Sequence, residues 1–180
     1  MLARAFYDDP AMSWTFPRDG KRLEQAERFW SIRLKYMAPQ DQVYVTDGLE
    51  GAAVWTLPGR WQVSWRETAE LGRMMLNARL PLLFSGLQRL ERAHPHDTDS
   101  FYLAVLGTDP PHQGQGIGTA LMAPVVELCD RDAVPAYLES SKERNIDFYS
   151  RFGFRVLSEV QLPNGPKMWP MWREPVGRAH

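Results

Sequence analysis

The chain alternates between two hydrophobic rhythms. Residues 23–36 carry apolar side chains at Leu23, Phe29, Trp30 and Leu34, close to the 3.6-residue period of a helix. Residues 42–46 and 52–57 alternate or run apolar and predict two strands, joined by a hairpin turn at Asp47-Gly48. Pro58-Gly59 ends the second strand. Residues 65–92 read as a long helix broken near Pro81. Residues 101–106 predict a strand. Residues 117–132 predict a helix with Ile117, Leu121, Val125 and Leu128 on one stripe and a kink at Pro124. A short strand is expected over 134–139. A helix follows over 143–152, closed by Gly153 as a left-handed C-cap. Strands over 154–161 and 167–172 meet at the turn Pro163-Asn164-Gly165. Alternating strands and helices in the second half predict an α/β (α+β) fold, a mixed sheet covered by helices.

Composition narrows the function classes. With 180 residues and 44% hydrophobic content, one domain with a sizeable core is expected over residues 1–180. The net charge is −1 and Lys and Arg do not cluster, which argues against a nucleic-acid partner. The single cysteine, Cys129, rules out an internal disulfide framework, and there is no CxxC pair for zinc; on the apolar stripe of its helix it reads as a buried structural thiol. The N-terminal MLARAFYDDP lacks the apolar core of a signal peptide. The most apolar window, 74–90, is interrupted by Arg79, Pro81 and Arg89 and is too short and charged to span a bilayer. The expectation is a cytoplasmic protein with no membrane partner and no metal. His94-Pro-His96-Asp97 reads as a polar loop, and His112 as a turn residue without a role. Apolar positions along 80–90 suggest a possible homodimer.

Chemistry enters at 107–121, GTDPPHQGQGIGTAL, where Gly114, Gly116 and Gly118 stand at every second position between a strand and a helix. A helix N-terminus offers unpaired N–H groups and partial positive charge, and glycines let an anion approach the backbone. The loop is therefore a candidate pyrophosphate cradle. No Gly-Lys-Ser/Thr follows, so a P-loop is excluded. A G-x-G-x-x-G dinucleotide fingerprint from Gly114 would need glycine where Thr119 stands. A glycine-rich turn without a ligand is the remaining reading of the loop alone.

Two segments together resemble the GNAT N-acetyltransferases. Gln113-x-x-Gly116-x-Gly118 is similar to the family's Q/R-x-x-G-x-G/A motif, and Asn145 to Phe154 (NIDFYSRFGF) to its N-x-x-x-x-Y-x-x-x-G-F segment. The resemblance covers about residues 101–172. It implies a GNAT-type mixed, mostly antiparallel sheet flanked by helices, and acetyl-CoA as co-substrate. It also implies a coenzyme-binding half at about 101–172 and a substrate-side half at about 1–100. The chain begins just ahead of the segment matching Phe6-Tyr7, so the family's first strand is expected to be missing. More distantly, Asp8-Asp9-Pro10, the run from Gly51 to Thr56 and Pro163-Asn-Gly-Pro166 resemble the branch of small-molecule acetyltransferases acting on an aminonucleoside.

The resemblance also distributes roles. Gln113, Gly114, Gln115, Gly116, Ile117, Gly118 and Thr119 would hold the pyrophosphate. The backbone of Leu106, Gly107 and Thr108 would align the pantetheine arm, with Gly107 permitting a bulge or splay. Asn145, one turn before Tyr149, would bond the arm, and Tyr149 would be the general acid. Glu139 ends a strand beside the splay and is the candidate base through a water, although a strand-end Glu also serves as a solvated or ion-paired residue. The implied reaction is direct attack by a primary amine of a small molecule, with no covalent enzyme intermediate. A closed pocket lined by Trp14, Trp55 and Trp65 would favour a small apolar amine. Protein or peptide N-acetylation, a non-catalytic acyl-CoA-binding module and a truncated inactive relative are the alternatives.

Overall fold

The computed structural model describes residues 1–75 and 79–177. Three helices come first: α1 (Leu2–Ala5), α2 (Pro10–Thr15) and α3 (Asp19–Met37). The hairpin β1 (Gln42–Val45) and β2 (Gly51–Thr56) follows, then α4 (Trp65–Met74) and α5 (Leu80–Ala93). The second half runs β3 (Phe101–Thr108), α6 (Ile117–Asp132), β4 (Ala136–Ser140), α7 (Ile146–Ser150), β5 (Arg155–Val156), β6 (Val160–Gln161) and β7 (Lys167–Arg173). The sheet order is β1-β2-β3-β4-β7-β5, with β6 also pairing with β7. Every pair is antiparallel except β3 with β4. This is the mixed, mostly antiparallel sheet expected.

Local chemistry explains where the elements differ from the sequence pattern. The turn between β1 and β2 places Leu49, not Gly48, in the left-handed region at φ 58. There the Thr46 hydroxyl accepts from the Glu50 and Gly51 amides. The long helix over 65–92 is two helices. Their junction includes residues 76–78, which lie outside the described residues, and Pro81 stands in the first turn of α5, where its missing N–H is harmless. The helix expected over 143–152 begins as a 3₁₀ turn, Glu143–Asn145. It ends as anticipated, with Gly153 at φ 87 and a Schellman closure in which Phe154 N donates to Tyr149 O and Gly153 N to Ser150 O. The strand over 154–161 splits into β5 and β6. Opposite the break lies Pro170, whose carbonyl accepts from Leu157 N but which has no N–H to return.

The sheet has a core on each face. Phe101 and Leu103 pack with Leu121, Met122, Val125 and Cys129 of α6 and with Tyr149 and Phe154. Ala52, Val54 and Val105 pack with Leu2 and Ala3 of α1 and with Ala26 and Trp30 of α3. Leu103 and Val105 thus face opposite ways although they are two residues apart. A β-bulge produces this: Trp55 pairs with Leu103 and Val54 with Val105, leaving Ala104 unopposed. Cys129 is buried, and burial pushes its thiol up to about 12, an inert structural thiol as expected.

Candidate active site

The bulge coincides with a parting of strands. β3 and β4 pair only from Phe101 with Ala136 to Leu103 with Leu138, after which β3 runs on to Thr108 and β4 to Ser140 without pairing each other. A wedge opens there, and one edge of β3 beyond Leu103 is free of a strand partner. Leu106 and Thr108 are half-buried on this stretch. Gly107 lies between them, but its reason is not the bulge, which falls at Ala104. A Cβ on Gly107 would lie 2.9 Å from Phe6 Cε2 and 3.0 Å from Leu2 Cδ2, so glycine lets α1 lie against the strand. Gly107→Val should therefore lose about 1–3 kcal/mol of stability by overpacking, measured by denaturant unfolding.

The N-terminal segment bridges the wedge. On the β3 side, Arg4 holds Asp109 through both carboxylate oxygens, at 2.9 and 2.8 Å, and this pairing keeps Asp109 below the usual carboxylate range. On the β4 side, the Ser141 hydroxyl donates to Asp9. Asp9 is also the N-cap of α2, accepting from the amides of Ala11 and Met12.

Beyond Asp109 a 3₁₀ turn, Pro110–His112, leads into the glycine loop. Gly114 (φ 77) and Gly116 (φ 82) are both left-handed, Gly116 is the N-cap of α6, and a Cβ at either would meet no atom within 4 Å. The exposed side of this loop is bare backbone, and the first amides of α6, at Ile117, Gly118 and Thr119, have no acceptor within the helix. That is the shape an anion cradle requires, so the loop fits a diphosphate. Gln113 does not face outward as a free donor; its Nε2 donates to Thr108 O at 3.0 Å and fixes the loop. Gln115 likewise bonds Pro111 O. Ile117 packs against the core, and Gly118 admits Phe148 of α7, whose Cζ would lie 3.3 Å from a Cβ there.

Tyr149 is 8% exposed, and burial, then the Asp9 charge, raises its pKa. Asn145 ends the 3₁₀ turn and caps α7 rather than lying inside one continuous helix with Tyr149. Glu139 is half-buried on β4 and accepts from Tyr102 of β3 at 2.7 Å, across the apex of the wedge. Burial raises the Glu139 carboxyl and the Tyr102 phenol alike. The sequence pattern did not single out Tyr102; the signal was available only in the register, which pairs it with Tyr137.

Residues 85–174 match the family model described as an acetyltransferase (GNAT) domain. The chain belongs to the GNAT acetyltransferases. It is 27% identical over 194 residues to an uncharacterized N-acetyltransferase of Schizosaccharomyces pombe, covering 97% of this chain and 77% of the relative. Its fold is similar to a crystal structure described as histone acetyltransferase HPA2 and related acetyltransferase from Corynebacterium glutamicum, with TM-score 0.73 and 20% identity over 99% of this chain and 90% of that one. It is also similar to arylalkylamine N-acetyltransferase 2 from Aedes aegypti, with TM-score 0.60 and 15% identity over 96% and 90% of the two chains.

In this GNAT chain Trp14, Trp55 and Trp65 do not line one closed pocket. Trp55 is fully buried in the core, and Trp65 is 75% exposed. Trp14 donates to Pro163 O at 3.0 Å against the β6–β7 turn. His94 is not a loop residue in solvent: it is 4% exposed, and its ring stacks on Trp61 with centroids 4.0 Å apart. Among the described residues no helix is long and apolar enough to cross a membrane, and no His, Cys, Asp and Glu group is arranged to hold a metal.

Proposed function

We propose that this N-acetyltransferase moves an acetyl group from acetyl-CoA to the primary amine of a small molecule. The observation that carries the reading is the hydrogen-bonded pair Tyr102–Glu139 at the apex of a wedge whose far end leads into the glycine cradle. The cradle residues Gly114 to Thr119 would hold the pyrophosphate by their amides. Each such contact is worth on the order of 0.3–1 kcal/mol, so several converging amides suffice without Lys or Arg. The free edge of β3 at Leu106 to Thr108 would pair with the extended arm, and Asn145 would bond it from the opposite side. Acetyl-CoA supplies an activated thioester carbonyl.

The protein's own work is alignment and proton traffic. Alignment of two reactants supplies up to roughly 7–11 kcal/mol. An acceptor with the pKa of lysine, about 10.4, resists deprotonation at pH 7 by about 4.6 kcal/mol, so a base matters. Glu139, with its pKa raised by burial, is a stronger base than a solvated carboxylate, and Tyr102 fixes its orientation. Tyr149, raised by burial and Asp9, stays protonated across the physiological range and offers its hydroxyl to the departing sulfur.

Tyr149→Phe should lower kcat about a hundredfold while leaving the acetyl-CoA dissociation constant unchanged, as read by free-thiol assay and calorimetry. Calorimetric titration with acetyl-CoA, using NADH as a control, tests the co-substrate. An amine screen tests the acceptor, and a clear preference for peptide amines there would overturn the small-molecule assignment.

A further inference from the structure

A polar pocket opens at the end of β3 opposite the glycine cradle. Its lining includes Asp41, Thr56, Arg60, Trp61, Glu67 and Tyr102. Tyr102 links it directly to Glu139. Between Tyr102 and Thr108 the strand rises about 20 Å, so the cradle and the pocket lie at the two ends of one strand with the apex of the wedge near the pocket. Two substrates can then approach the apex from opposite directions without competing for space.

The charges inside are unequally compensated. Arg33 ion-pairs with Glu67, and both side chains are largely buried, so that carboxylate is balanced. Asp41 has no ion pair among the described residues; the Thr56 hydroxyl reaches it at only 3.5 Å, and burial raises its carboxyl. Arg33 and the exposed Arg60 are both near enough to favour its charged form, against the nearby Glu67, but neither pairs with it. Behind the wall, His94 stacks on Trp61, holds the Pro95 carbonyl through Nδ1 at 2.9 Å, and leaves Nε2 buried without a partner. The neighbouring Tyr137, its ring 4.3 Å from that of His94, turns its buried hydroxyl toward Glu139 and favours that group's charged form. A buried polar atom without a partner, such as His94 Nε2, is costly in a folded protein. The pocket encloses about 60 Å³, room for a few water molecules or one amine-bearing end of a molecule.

We infer that this pocket receives the acceptor, and that the acceptor is a diamine: one nitrogen faces the Tyr102–Glu139 pair and reacts, while the second, cationic, is held by Asp41. The inference rests on the acetyltransferase reading above and names its substrate class. With Glu67 already paired to Arg33, the unpaired Asp41 carboxylate favours a second cationic nitrogen over the methyl end of a monoamine of the same length and over an arylalkylamine, whose ring would cover polar groups it cannot pair.

The test uses the purified full chain with acetyl-CoA and three probes: putrescine, butylamine and tryptamine. Putrescine should exceed butylamine and tryptamine in kcat/KM by at least tenfold. In Asp41→Asn that advantage over butylamine should vanish through KM, while the acetyl-CoA KM stays at its wild-type value and the melting temperature does not fall. Equal or better use of butylamine or tryptamine overturns the inference, as does a putrescine preference untouched in Asp41→Asn. Acetyl-CoA binding with no acetylation of any probe overturns it too, with the cradle intact. Absence of acetyl-CoA binding takes down the underlying reading as well, and calorimetry separates those two failures.

Discussion

Gly116→Val should weaken acetyl-CoA binding at least tenfold, and more as further amides are lost, while the protein still folds. Gly116 holds φ 82 and ψ −1 as the N-cap of α6, and a Cβ built there meets nothing within 4 Å. The substitution's Cβ therefore disturbs no packing. Its stability effect is the strain of a β-branched residue in left-handed backbone, about 1–2 kcal/mol. In a chain of this size that corresponds to a melting-point drop of roughly 2–8 °C. The functional effect is larger, because valine either blocks the open side of the loop or pulls the backbone out of the conformation that turns successive amides toward one point. Losing two or three anion contacts of about 0.7–1 kcal/mol each would raise the dissociation constant by about one to two decades. Calorimetry on Gly116→Val, with circular dichroism as the folding control, reads both quantities. A folded variant that binds acetyl-CoA as tightly as wild type would show that the glycine loop is only a turn.

The readable parts of this chain are those in which one residue decides one backbone feature. Gly153 had to be left-handed, and the Schellman closure follows. Gly114 and Gly116, between a strand and a helix, required open backbone, and they have it. The features that escaped depend on pairs. The switch of faces in β3 arises from an extra residue, Ala104, relative to β2, and no periodicity within β3 reveals it: burial alternates regularly through the bulge. Tyr102 looked like an ordinary strand residue because its partner Glu139 lies 37 residues away. Helices α1 and α2, of four and six residues, are shorter than any window in which periodicity can be counted. The Asp9-Pro10 pair was their one local signal, a capping side chain followed by proline at the first helical position. The tryptophans fit either reading from the sequence, because burial and pocket lining make the same demand on composition. Only the fold sends Trp55 into the core and Trp65 into solvent.

Glu139→Gln should reduce kcat by about 10²–10⁴-fold with a lysine-like amine while retaining acetyl-CoA affinity, since the cradle is at the other end of β3. The swap keeps shape and keeps an oxygen for the Tyr102 hydroxyl, so geometry is preserved and basicity alone is lost. The effect should be smaller for an acceptor of pKa near 8, which needs only about 1.4 kcal/mol to shed its proton at pH 7. The pH dependence has a definite sign. Burial raises the Glu139 pKa, and a general base acts as its carboxylate, so wild-type kcat should fall as pH drops through that raised value. In Glu139→Gln this limb disappears. Stability runs the other way. A carboxyl whose pKa is raised by folding contributes stability that is full below its ordinary value, about 4.3, and is lost as pH rises through the raised value. At pH 7 the wild type therefore carries a desolvated charge that the glutamine variant does not. Glu139→Gln should melt at or above the wild-type temperature at pH 7, with the difference shrinking toward pH 4. A variant both slower and no less stable identifies Glu139 as a residue held in an unfavourable site for its chemistry. A variant slow only because it melts early would instead assign Glu139 to the scaffold, and full activity in a folded Glu139→Gln would move the base elsewhere.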